Sequence, residues 1–285
     1  MKTMEEILSP IRALPTLPDI VLRVMRLSND PETPIDSIVD VLKLDQGVTA
    51  NVLRLCNSPF YAKSRKVESI HDAVVYLGAK AIVDFLMAGF CSTFFRRPLE
   101  GYRLEEGQLW QNSVAVGIAS EEIATAASGG NKESQSLAYT AGLLHGIGKI
   151  VLNQSCHDDL VKVLRKVEQD RVAFEIAEKE ILGISHCEAG AEIARRWRLP
   201  PSIVDAIAHY PNPEEAQENP WLVSCVHLGN LLVLSMGMGM DVDGLAAEFH
   251  PGAVERIGLD MPAIMRLSVT ILERYNAAID TIQMG

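Results

Sequence analysis

Apolar residues recur along this chain at helical spacing, and nowhere do they alternate with a period of two for long enough to demand a strand. Ile20, Val24 and Leu27 form one stripe, Ile38, Val41 and Leu42 a second, and Val48, Val52 and Leu55 a third. Val74 and Leu77, then Ile82, Phe85 and Leu86 beyond Gly78, continue the pattern. A half-buried strand must place successive side chains on opposite faces, so this spacing leaves helix-on-helix packing as the way to bury the stripes. The expected fold is all-α, with two packed helical subdomains.

Helix starts punctuate the first third. Thr16 is followed by Pro18 and Asp19, Thr33 by Pro34 at the first helical position and Asp36, and Ser69 by Asp72. Each side-chain oxygen can satisfy free backbone N–H groups, and each carboxylate sits near the positive end of the helix dipole. Further helices are expected from about Glu105 to Ala127, Glu133 to Leu144, Val161 to Gln169, and Arg171 to Leu182. Another is capped by Ser185 and ends near Trp197; others run over 202–210 and from Pro220 to about Leu234. A final helix starts near Asp260 and carries Ile264, Leu267, Ile271 and Leu272. The polar, Pro- and Gly-bearing run from Arg96 to Tyr102 is the best internal boundary. It divides an N-terminal subdomain over 1–100 from a C-terminal one over 101–285 that ends in a helical extension.

An apolar fraction of 48% over 285 residues supports a sizeable core and excludes a disordered chain. The formal charge of -11, from 37 acidic and 26 basic residues, gives no general attraction to a phosphate backbone or an anionic bilayer. Neither a nucleic-acid partner nor a membrane is therefore expected. The short basic runs Lys63–Lys66 and Arg195–Arg198 read as solvated helix ends or loops. Cys56, Cys91, Cys156, Cys187 and Cys225 are odd in number and contain no CxxC pair, as in a reducing compartment. The N-terminus lacks a long apolar region, and Trp221–Met240, broken by His227, Asn230 and glycines, reads as a buried helix and its exit. The expected location is cytoplasmic.

The most pointed local sequence is Gly142-Leu143-Leu144-His145-Gly146-Ile147-Gly148-Lys149. It sets a histidine at the end of an apolar helix, with a lysine suited to phosphate charge close behind. His186 and His209 lie on later helices, and three converging imidazoles can hold a divalent ion. The plainer reading makes each a packed histidine and Gly148 a helix break. HExxH, GxxxxGK[ST] and GxSxG are absent. Cys156-His157 and His186-Cys187 are neighbours on helices, about 100° apart, which is poor geometry for proton transfer.

Several of these segments, taken in order, carry a family resemblance. They are Leu14-Pro15-Thr16-Leu17-Pro18; the run from Asp45 through Leu55-Cys56-Asn57-Ser58-Pro59-Phe60-Tyr61; Ser69 through Leu77-Gly78; Leu109-Trp110-Gln111-Asn112-Ser113; and Gly142 through Lys149. Together they resemble the HDOD family, the HD-related output domain of bacterial signalling proteins, over some two thirds of the chain. The resemblance implies a C-terminal part related to HD-domain phosphohydrolases, in which histidines and aspartates hold one or two metal ions that activate water. The early histidine of those hydrolases falls on Asn112, the His-Asp pair on His145 and Gly146, and the late aspartate on Asn230, while a second histidine of some relatives falls on Tyr210.

His145, His186 and His209 survive without a carboxylate, so the resemblance implies loss of hydrolysis and no required cofactor. Residual binding of nickel, zinc or iron at these three histidines stays open. The expected role is a noncatalytic regulatory module whose signalling partner binds in trans, with Phe60-Tyr61 and the loop from Arg96 to Tyr102 as contact surfaces. Two alternatives stand beside it. One is a nucleotide or small-molecule sensor with Lys149 and Arg195 as its charged contacts. The other is a residual phosphohydrolase in which Glu121, Glu188 or Glu192 replaces the missing ligands. Partner identity and oligomeric state are left open.

Overall fold

The structure is a computed structural model that describes residues 4–9, 17–28, 30, 32–57, 67–128, 132–238 and 247–283. Among them are fourteen α-helices and no sheet, with one isolated bridge between Leu99 and Leu104. The all-α expectation holds. Two compact units emerge: Met1–Pro15 with Ser92–Ile271, and Thr16–Cys91 with Leu272–Gly285.

In the smaller unit, α2 (Asp19–Ser28) buries Val21, Val24 and Met25 and packs on α3 (Ile35–Leu42). The expected start at Thr33 shifts by one residue: Pro34, with φ -61° and ψ 139°, is extended, so the helix begins at Ile35 without a side-chain cap. α4 (Gln46–Cys56) is capped by Asp45, which accepts from the Val48 N–H at 3.0 Å. Ser69 caps the next helix as expected, through the Asp72 N–H at 3.0 Å. Thr16, the Lys63–Lys66 run and Phe60-Tyr61 lie outside the described residues.

That next helix, α5 (Ile70–Phe95), is interrupted at Gly78, whose φ of 80° favours a residue without a Cβ. Its stretch Ile70–Ser92 has mean hydropathy 1.7 and is long and apolar enough to cross a membrane by length and composition. Ile82, Val83, Met87 and Cys91 along it are buried.

The larger unit carries α1 (Met4–Leu8), α6 (Gln108–Ser128), α7 (Lys132–Leu144), α8 (Gly148–Asp170) and α9 (Phe174–Leu182). It continues with α10 (His186–Arg196), α11 (Pro201–His209), α12 (Pro220–Ser235) and α13 (Pro251–Ile257), and takes in the start of α14 (Met261–Gln283). α6 packs along α7 and α12, α10 lies on α8 and α11, and α8 carries α9 and α1. Val116, Ala119, Ile123, Ala138, Ala141, Val226 and Val233 are buried among these helices, together with other small and branched residues.

One expectation is corrected in this unit. The segment expected as a separate helix from Val161 is the second half of α8, which runs unbroken except for a non-helical Cys156. Leu152, Cys156, Leu160, Leu164 and Val167 maintain its buried stripe. Polar residues in its first half have tertiary partners: Asn153 Oδ1 accepts from the Gly101 N–H at 2.8 Å, and Ser155 donates to the Ile7 carbonyl at 2.6 Å. Arg171 adopts the left-handed conformation that ends α8, so α9 begins at Phe174 rather than at Arg171.

Candidate functional site

α10 opens with a capping box: Ser185 accepts from the Glu188 N–H, and Glu188 reaches back to the Ser185 N–H at 2.9 Å. This fixes His186, the first helical residue, in the interior. Gly148 at the start of α8 allows the close approach, because a Cβ there would run into the His186 carbonyl.

His186 is committed at both ring nitrogens. Nδ1 donates to Glu178 Oε2 at 2.6 Å, and Nε2 lies 2.8 Å from the Tyr210 hydroxyl. The same Glu178 oxygen also accepts the His186 backbone N–H at 2.7 Å, while Oε1 accepts the Tyr102 hydroxyl at 2.6 Å. Burial by itself lowers the His186 pKa, but Cys187 and Glu178 outweigh it and hold the pKa well above the usual histidine range. An imidazolium donates from both nitrogens, so the Tyr210 oxygen is then the acceptor.

Glu178 was not among the sequence candidates, although a signal for it exists. It stands four residues from both Phe174 and Leu182, on the buried face of α9, where a solvated glutamate has no place.

His145 follows the last residue of α7. Its Nδ1 lies 2.7 Å from the Gly142 carbonyl, which only accepts, so Nδ1 carries the proton. Its ring meets the Tyr210 ring edge-on at 5.0 Å. His209, next to Tyr210 in the chain, points elsewhere: its nitrogens lie 3.7 Å from Asp205 and 3.8 Å from Glu215, and it lines a separate cavity of about 490 Å³. Tyr210 thus gathers His145 and His186, and the third histidine stays outside that group. Among the described residues, no three His, Cys, Asp or Glu side chains are placed to hold a metal ion. The donor set does not fit the metal centre that the HD resemblance implies.

The replacement carboxylates have other partners. Glu188 serves the capping box and pairs with Lys179 at 2.9 Å; burial raises its pKa, but the Ser185 N–H and Lys179 outweigh that and hold it below the usual range. Glu192 pairs with Arg195 and Arg196 at 3.4 and 3.5 Å, in the last turn of α10, as expected for solvated helix-end charges. Glu121 is buried on α6. Asn112 is buried as well, and neither of its polar atoms has a hydrogen-bond partner among the described residues.

Lys149 and Arg195, the expected phosphate contacts, are not brought together. Lys149 is buried in the first turn of α8, with Nζ 5.6 Å from the Tyr102 ring centre and 5.5 Å from that of Phe174. Arg195 lines the 490 Å³ cavity. Tyr102, expected as an exposed contact, is turned inward to Glu178, and Arg96 lies over the Trp110 ring at 4.9 Å. The neighbours His186 and Cys187 do meet, at 3.4 Å, contrary to the expectation for adjacent helical residues. Burial raises the pKa of that thiol, so the contact does not make it a nucleophile.

Sequence reading did not single out His227 as a candidate. It is buried on α12, Nδ1 lies 2.9 Å from the Tyr210 carbonyl, and Nε2 accepts from the His250 N–H at 3.4 Å. Burial pushes its pKa down to about 4, so it stays neutral. His186, Tyr210, His227 and Asn230 border a second cavity of about 50 Å³. That volume is well below the roughly 300–1,000 Å³ of small-molecule sites.

The HDOD domain family matches residues 14–213. A crystal structure of an HDOD domain protein of unknown function from Geobacter sulfurreducens is similar at 30% identity, over 98% of this chain and 99% of that one, with a TM-score of 0.75. A provisionally assigned signal transduction protein from Marinobacter aquaeolei VT8 shares the fold at 24% identity, over 100% of this chain and 61% of that one, with a TM-score of 0.75. An uncharacterised protein of Treponema pallidum (strain Nichols) is 25% identical over 221 residues, and the match spans 77% of this chain and 42% of that relative's length. With the family matching residues 14–213, well over half of the chain, and an HDOD structure similar along nearly its whole length, the chain belongs to the HDOD domain family.

Proposed function

We propose that this HDOD chain is a noncatalytic signal-transduction module that acts through contact with a protein partner in trans. One observation carries the reading: the histidine best placed to serve a metal, His186, gives one ring nitrogen to Glu178 and the other to Tyr210. A metal ligand needs a nitrogen lone pair directed at the ion, and neither nitrogen has one to offer in this arrangement. Support also comes from Gly146 and Asn230, which supply no carboxylate where the HD resemblance calls for one, and from the small volume beside Tyr210. A nucleotide-sensing role draws less support. Lys149 lies under aromatic rings, and Glu175, Glu188, Glu215 and Glu248 line the cavity that holds Arg195, where a phosphate meets like charge.

The test is hydrolysis of p-nitrophenyl phosphate and bis-p-nitrophenyl phosphate by the full chain, with manganese, nickel or ferrous iron supplied. Rates at the protein-free background are expected. Metal-dependent turnover that disappears in His186→Gln would overturn the proposal.

A further inference from the structure

Four of the ten large apolar side chains left exposed among the described residues lie on one helix, α14. They are Met261, Met265, Val269 and Leu272, at 39%, 49%, 65% and 45% exposure. Single exposed apolar residues are ordinary, but these recur at spacings of four, four and three, so they share one side of the helix. Ile264 and Ile271, on the opposite side, are buried. The helix therefore presents an outward apolar stripe as well as an inward one.

The charges beside the outward stripe say what covers it. Arg266 and Glu273 are exposed on the same edge of it, seven residues apart, and among the described residues neither has an ion-pair partner. Seven residues advance a helix by about 10.5 Å and leave it only about 20° from two full turns. Midway between the two charges is the peptide that joins Val269 to Thr270. A twofold axis crossing the helix there, at right angles to it, runs a second copy antiparallel and sets the two Val269 side chains together. It also brings Arg266 of each copy against Glu273 of the other. A closed pair of identical chains needs a patch complementary to itself, and this one is so in charge as well as in apolar content. From Met261 to Asn276 the outward side carries one cation and one anion, so two chains of formal charge -11 meet there without like charges in contact.

We infer that two copies of this chain associate through α14, antiparallel, with Met265, Val269 and Leu272 at the contact and reciprocal Arg266–Glu273 ion pairs closing it. All of these residues lie on one helix, so their register follows from helix geometry alone. One helix pair sits at the low end of specific interfaces, about 1,000–1,200 Å² in total, which corresponds to a Kd on the order of 10 µM. The inference goes beyond the signalling role proposed above and is independent of whether the chain is catalytic.

The experiment is sedimentation equilibrium of the full chain from about 1 to 200 µM. A rise from the mass of one chain toward that of two is expected. Val269→Glu, which sets two carboxylates together at the axis, should abolish it. Arg266→Glu and Glu273→Arg should each weaken the dimer by about tenfold, because each puts like charges face to face twice. Mixed in equal amounts, these two variants should associate with each other near the wild-type affinity, since every charge then meets its opposite. All three positions are exposed, so the variants should keep the helical circular dichroism of the wild type. The mass of a single chain at every concentration would overturn the inference and leave the stripe to a different protein. A dimer indifferent to Val269→Glu, or two charge variants that fail to rescue each other, would put the interface elsewhere and overturn it as well.

Discussion

The Tyr210 hydroxyl lies 2.8 Å from Nε2 of His186, where the HD resemblance calls for a metal-facing nitrogen. The Tyr210 ring also packs edge-on against His145, so one aromatic side chain joins two of the three histidines and closes the space between them. Behind His186 stands Glu178, fully buried and bonded to Tyr102 as well. The site is a buried polar network, and its members stabilise the fold in ways that can be measured.

Tyr210→Phe keeps the ring and removes the oxygen. His186 Nε2 then loses its partner in a buried setting, at a cost of about 1–3 kcal/mol. Urea unfolding should show a lower midpoint with an unchanged slope, and an unchanged midpoint would mean that the bond contributes nothing net.

Glu178→Gln removes the charge that faces His186 and leaves an uncompensated buried cation, a change that costs about 3–5 kcal/mol for pairs of this kind. Because the folded-state pKa of His186 lies above its unfolded value near 6.5, the pair stabilises fully below that pH. Its contribution is lost as pH rises through the folded-state value. Thermal unfolding across the neutral to alkaline range should show this decline in the wild type and a flatter profile in the variant.

His227 acts with the opposite sign. Its folded-state pKa of about 4 lies below the unfolded 6.5, so its contribution is fully present above pH 6.5 and is lost as pH falls toward 4. A depression of that size is worth about 3 kcal/mol. Stability measured over this acidic window should fall in the wild type and fall less in His227→Gln. Parallel curves would assign the acid sensitivity to other groups.

Gly148→Ala places a methyl group against the His186 carbonyl, between the starts of α8 and α10. Overpacking of this kind costs about 1–3 kcal/mol, and relief requires the two helices to part. The histidine side-chain NMR signals of His186 should shift together with a loss of stability. A variant as stable as the wild type with unmoved signals would show that the contact relaxes without cost.

Much of the fold was legible because local rules govern it. Ser69 and Ser185 cap the helices expected of them, and Pro220 opens the buried α12. Tertiary partners extend α8 beyond the short helix expected from Val161: Ser155 and Asn153 in its first half bond to Ile7 and Gly101. The same holds for Tyr102, which a loop position suggested was exposed and which the fold turns inward to Glu178.

By itself the sequence determined the helical architecture, the family, and the loss of carboxylates at Gly146 and Asn230, since periodicity, capping and residue identity are local properties. Only the tertiary structure decided that His145 and His186 meet through Tyr210 while His209 faces another cavity, and that Lys149 and Arg195 lie apart. Side chains far apart in sequence converge through helix packing. Which face of each helix turns toward its neighbour is set by the buried volume of all of them together, which the spacing between two histidines does not encode.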